Sequence, residues 1–177
     1  MAAQAQHHRH ETGLDPEAVG YTAKMPKSPE FDLQAAHRYF AGFCFNRAWD
    51  LIEKSDRTPE EDRLMVTLNQ ASIFHWLNRP DCDDKRLSVG YWQASRIQAV
   101  LGNGPEAQHH AEVCLSYSTE LEPFYLGYAH EALARAAAVA GEHVQAAKHL
   151  ELARGQAVMI GDKNDREALL KDLASIP

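Results

Sequence analysis

Apolar residues recur along this chain at the three-to-four-residue spacing of amphipathic helices, and no segment alternates apolar and polar positions as a half-buried strand would. Residues 1–29 are polar and broken by Pro16, Pro26 and Pro29, which predicts a largely disordered segment before a single helical domain over 30–177. Ser28-Pro29 puts a hydroxyl cap ahead of a first-turn proline, so helix one is expected over about 30–54. Thr58-Pro59-Glu60-Glu61 is a capping box for helix two, closing a first hairpin at 30–79. Helix three, from Asp84 to Gly102-Asn103-Gly104, and helix four, opened by Pro105, make a second hairpin at 84–121. Pro123 opens helix five and Gly141 ends it, and helix six completes a third hairpin at 123–160. A capping helix is expected over 163–175, with Leu169, Leu170, Leu173 and Ile176 on its apolar side.

The second and third hairpins repeat one another at an offset of 39 residues. Leu87 falls on Leu126, Arg96 on Arg135, Gly102 on Gly141, Ala107 on Ala146, His110 on His149 and Glu112 on Glu151. A fixed period of this size means stacked supersecondary units that bury their apolar faces against each other. Such units set a shape and leave function to the side chains lining it.

The second copy places Leu133, Ala134, Ala137, Gly141, Ala146, Leu150 and Ala153 where the tetratricopeptide motif has its packing and helix-ending positions. Ser95, Gly102, Ala107 and Cys114 fill the small positions of the first copy. On these residues the region 84–160 resembles tetratricopeptide-repeat (TPR) proteins. The motif's tryptophan position, however, holds Tyr91 and His130, and the period exceeds the usual one. The resemblance implies an all-α fold: a right-handed α-α superhelix, a TPR-like solenoid of about seven antiparallel helices. The segments Asn46-Arg47-Ala48-Trp49, Phe74-His75-Trp76 and Trp92-Gln93-Ala94-Ser95-Arg96 also look like a group of small, uncharacterised bacterial helical proteins, which implies a bacterial source and no particular mechanism.

Composition narrows the partners. A formal charge of -7 and a pI near 5.8 argue against general affinity for nucleic acid or anionic lipid, both of which need a basic surface. No run of about 18 apolar residues could span a membrane. Cys44, Cys82 and Cys114 are odd in number and form no C-x-x-C, so neither a disulfide framework nor a thiolate zinc site is indicated. A cytoplasmic setting fits that usage.

In TPR domains the first helix of each hairpin lines the concave surface. The resemblance therefore puts Arg96 and Arg135 at equivalent groove positions, with Trp92 and Glu131 one turn earlier and Val89 and Tyr128 nearer the helix starts. Arginine's planar fork suits a carboxylate or phosphate, and an adjacent aromatic ring adds a flat apolar wall. The expected function is a protein- or peptide-binding module, with Arg96, Arg135, Trp92, Tyr128, Glu131 and Trp76 as ligand-binding residues and no cofactor. In the competing structural reading the arginines pair internally, for instance Arg96 with Glu131, and hold neighbouring repeats in register.

A rival function is a small enzyme or metal-binding protein that gathers His75, His110, His130 and Glu131 into an inner pocket. No helix carries H-x-x-x-H, and neither G-x-S-x-G nor a glycine-rich phosphate loop is present, so enzymatic readings have little local motif support. The aromatic residues concentrate early, with Phe40, Phe43, Phe45 and Trp49 on helix one alone. Most are expected in a core between helices one, two and three, and any left outside would offer a partner patch or a homodimer surface on helix one.

Overall fold

The computed structural model describes residues 30–176, and every regular element among them is a helix. Seven occur: α1 Leu33–Glu53, α2 Pro59–Leu77, α3 Asp84–Val100, α4 Gly104–Ser118, α5 Pro123–Val139, α6 His143–Met159 and α7 Lys163–Ala174. They belong to the unit Asp32–Pro177. The irregular segment expected over 1–29 and the Ser28-Pro29 cap lie outside the described residues.

Local chemistry explains most boundaries. The Thr58 hydroxyl accepts from the Glu61 backbone N–H at 3.3 Å, while the Glu61 carboxylate accepts from the Thr58 N–H at 2.9 Å, which completes the capping box of α2. Asp83 caps α3 by accepting from Arg86 N–H at 3.0 Å. Asp162 caps α7 through the N–H groups of Asn164 and Asp165. Helix one starts later than the Ser28-Pro29 pattern predicts, because the Asp32 carboxylate accepts from Ala35 N–H at 3.0 Å and claims the cap.

The repeat is visible in the backbone. Gly102 and Gly141 adopt φ of 75° and 77°, the left-handed conformation that closes a helix. Each is followed by the same six-residue closure: Asn103 N–H donates to Gln98 C=O at 2.9 Å, and Glu142 N–H to Ala137 C=O at 2.8 Å. Short connections pair α1 with α2, α3 with α4 and α5 with α6, and α3 and α5 pack directly on one another.

Helix α5 is the most buried element and touches α3, α4, α6 and α7. Ala129, Ala132, Ala134, Ala136 and Ala137 are all buried, and their small side chains permit that close approach from several sides. Apolar clusters flank it: Ala48, Leu51, Met65 and Ile97 between α1, α2 and α3, and Ala153, Ala157, Ile160, Leu169 and Leu173 between α6 and α7. On α7, Leu170 faces outward rather than joining the expected apolar side.

The expected aromatic core needs correction. Tyr39, Phe43 and Phe74 are 62%, 42% and 56% exposed, and Phe40 is exposed with them. Tyr39, Phe40 and Phe43 pack on one another, with Tyr39 and Phe43 stacked at 5.6 Å, and Phe40 and Phe74 each meet the His75 ring. Among the described elements α1 contacts only α2 and α3, so nothing covers its far side. The core itself is built from alanine, leucine, isoleucine, Met65, Cys44 and Cys114.

Candidate functional site

Arg96 and Trp92 sit one turn apart on α3, and Tyr128, Glu131 and Arg135 follow one another at one-turn spacing on α5. Because α3 and α5 pack together, these faces meet. Glu131 is fully buried, and its carboxylate has a donor on every side. Arg96 Nη1 reaches Oε1 at 3.0 Å, Arg135 Nε and Nη2 reach the same oxygen at 2.8 and 2.6 Å, and Trp92 Nε1 donates to Oε2 at 2.9 Å.

Helix α7 supplies the remaining partners. Arg135 Nη2 also donates to the Asp172 carbonyl at 3.0 Å and the Ser175 hydroxyl oxygen at 2.9 Å. Arg96 Nη2 lies 3.7 Å from Asp172 Oδ1, and the Tyr128 hydroxyl donates to Asp172 Oδ2 at 3.2 Å. Burial and the adjacent Asp172 carboxylate both hold the Tyr128 phenol well above its ordinary pKa, so it remains a donor. Two guanidiniums and two carboxylates thus balance in charge inside α3, α5 and α7.

That arrangement separates the six expected ligand-binding residues. Arg96 and Arg135 are engaged by Glu131, so their forks are not presented to a ligand. Trp76 lies elsewhere, near the end of α2, with the Arg79 guanidinium 3.9 Å and the Arg86 guanidinium 5.1 Å from its ring centre. Trp92, Tyr128 and Trp76 nevertheless share a surface, because each lines one of two adjoining depressions.

The larger depression, of about 460 Å³, is lined by Gly42 and Phe45 of α1, Trp76 of α2, Lys85, Arg86, Val89 and Gly90 of α3 and Tyr125 of α5, with Asp83 at its rim. The smaller, of about 170 Å³, is lined by Ser88, Val89, Trp92, Phe124, Tyr125 and Tyr128. Val89 and Tyr125 belong to both, so the two form one mostly apolar trough across α1, α3 and α5. Trp92 meets Tyr128 edge-on at 5.2 Å, and Tyr128 meets Phe124 at 4.9 Å, giving the smaller depression a fixed aromatic wall.

The charged residues lining the trough are Asp83, Lys85 and Arg86. Lys85 pairs with Glu122 and stands 5.5 Å from the Tyr125 ring centre, and Arg86 pairs with Asp83. The hydrogen bond to Glu122 raises the Lys85 pKa. Both pairs are substantially exposed and therefore exchangeable with an incoming anion.

The four residues of the metal alternative are not brought together. His75 Nδ1 faces His37 Nδ1 at 2.8 Å, His130 Nδ1 faces His149 Nδ1 at 3.3 Å, His110 lies beside the Tyr91 ring, and Glu131 is taken by arginine. Among the described residues no group of three His, Cys, Asp or Glu side chains could hold a metal ion. The Cys114 thiol, pushed up to about 11 by burial, sits against Ser88 and Ser118 as a packing residue.

Sequence reasoning missed Asp172 and Ser175, whose roles depend on where α7 docks. It also missed Gly42, Phe45, Lys85, Arg86 and Tyr125. Gly42 alone carried a legible signal, as an isolated glycine inside a helical pattern. No helix among the described residues is long and apolar enough to cross a membrane. No family model, curated protein or solved structure matches this chain.

Proposed function

We propose that this protein is a peptide-binding interaction module, that its helices follow a tetratricopeptide-like superhelical course, and that the trough across α1, α3 and α5 is its binding surface. The observation carrying this reading is the trough itself: a mostly apolar, aromatic-walled depression assembled mainly from the first helices of three successive hairpins, with Trp76 of α2. Its size and lining match those of ligand pockets, with a few charged groups at the edge to orient what binds. The repeated glycine closures at Gly102 and Gly141 support the superhelical part, since equivalent hairpins related by a constant step generate such a course.

The binding role moves from Arg96 and Arg135 to their aromatic neighbours. Trp92, Tyr128 and Trp76 remain ligand-facing, and Glu131 is reassigned to holding the repeats together. Val89→Glu places a charge at the junction of the two depressions, at a half-buried position. Panning a random peptide display library on the full chain should enrich binders, and Val89→Glu should weaken the enriched peptides at least tenfold with unchanged circular dichroism. Equal binding to the variant would overturn the assignment of the trough.

A further inference from the structure

Gly42 occupies the middle of α1, where glycine is the least favourable residue after proline. Packing within the protein does not require it, because a Cβ built there would meet no heavy atom within 4 Å. Gly90 on α3 is different: its Cβ would come within 3.1 Å of Ile73 Cγ1, so a neighbour inside the protein crowds that position. Gly155 on α6 is also open, but it is exposed and lines no depression. Gly42 lines the larger depression, beside Phe45 and across from Trp76 and Tyr125. A helical glycine that gives up propensity without packing need, at the wall of a cavity, is where another molecule approaches the backbone closely.

We infer that the space above Gly42 seats a bulky aromatic side chain of a partner peptide, and that an acidic residue next to it is taken by Lys85 and Arg86. This rests on the peptide-binding reading of the trough. Phe45, Trp76 and Tyr125 line the depression and supply aromatic surface against which an aromatic anchor packs. Charge fixes the neighbour: the lining holds the cations Lys85 and Arg86, and the groups they already meet, Glu122, Asp83 and Asp81, are all carboxylates. Glu122 and Asp83 already pair with those cations in exposed geometry, so an incoming carboxylate replaces them at little cost. The fork of Arg86 gives that carboxylate a directional partner, and Lys85 adds a point charge.

The test uses full-length protein and capped peptides containing Trp-Glu-Glu, Trp-Lys-Lys or Ala-Glu-Glu in an alanine context, followed by amide shifts in NMR titrations. Trp-Glu-Glu should shift Gly42, Val89 and Tyr125 and bind at least tenfold more tightly than either control peptide. Gly42→Leu should weaken it at least tenfold, while Gly42→Ala should weaken it less and raise the melting temperature by roughly 2–4 °C through helix propensity. Gly155→Ala, with the same propensity gain, should leave binding unchanged. A variant that is more stable yet binds worse separates loss of space from loss of fold.

Binding of Trp-Glu-Glu that is indifferent to Gly42→Leu, or matched by Trp-Lys-Lys, would overturn the anchor assignment and leave the module reading standing. Indole-3-acetate binding as tightly as the peptide would overturn the choice of a peptide as occupant. If none of the peptides shifts any residue of the trough, the anchor assignment fails, and the module reading then stands or falls with the library experiment on Val89→Glu.

Discussion

Replacing Glu131 with alanine removes the one carboxylate that Arg96, Arg135 and Trp92 share. Glu131 is 0% exposed, and the Arg135 side chain is only 11% exposed, so neither water nor a mobile counter-ion compensates the loss well. Breaking a buried ion pair from one side costs about 3–5 kcal/mol, because the remaining charge stays desolvated. The whole stability of a domain this size is roughly 5–15 kcal/mol, so the substitution removes a large share of it. At roughly 2–4 °C per kcal/mol the melting temperature should fall by roughly 6–20 °C. Glu131→Gln keeps the shape and one acceptor and should lose about half as much. Pairing Glu131→Leu with Arg135→Met should recover at least about 1 kcal/mol over Glu131→Leu alone, since an apolar pair leaves one fewer uncompensated charge. Urea unfolding followed by circular dichroism measures each term, and repeating it at about 0.1 M and about 0.5 M NaCl should change the difference little, as buried pairs are weakly screened. A loss below about 1 kcal/mol for Glu131→Ala would refute the reasoning, because it would mean the guanidiniums find adequate solvation without the carboxylate.

Two further outcomes follow from geometry elsewhere. Gly102→Ala and Gly141→Ala force a Cβ into the left-handed region at φ of 75° and 77°, and each should cost about 1–2 kcal/mol in thermal unfolding, with asparagine tolerated better than alanine. His75, His110, His130 and His149 all have their pKa lowered, first by burial and, for the first three, next by a neighbouring histidine. Below the unfolded value of about 6.5 the unfolded chain takes up protons that the folded protein resists, so stability is full above that pH and declines as pH falls toward the folded values. Melting temperature should therefore drop between about pH 7.5 and about pH 5.5, and His130→Phe with His149→Leu should flatten that slope; a steeper slope in the double variant would contradict it.

The helices were legible in the sequence because their ends are written in local chemistry: Thr58 to Glu61, Asp83, Asp162, and the glycines at 102 and 141. The site was less legible because arginine's role depends on what faces it. Repetition of Arg96 as Arg135 looked like a repeated groove ligand, yet the decisive residue is the one that breaks the repeat, Glu131 in the place of Trp92. The four-residue spacing of Glu131 and Arg135 was a local sign of internal pairing. Asp172 and Ser175 offered none, since only the docking of α7 brings them to Arg135. The aromatic residues of α1 misled for a similar reason: composition says they want cover, but whether a neighbour supplies it is a question of topology.

The ion cluster also constrains how this protein can change over generations. Repeat arrays commonly lengthen or shorten by duplicating or deleting whole units, because each unit meets only its neighbours in equivalent ways. Here the units are not interchangeable. Duplicating residues 84–121 in tandem would set a second copy of Trp92, rather than Glu131, against the original Arg96, and deleting 123–160 would remove the carboxylate outright while stranding Asp172. Gaining 84–121 or losing 123–160 would thus leave Arg96 without the Glu131 carboxylate, whereas Glu131 and Arg135, four residues apart on α5, travel together with their own unit.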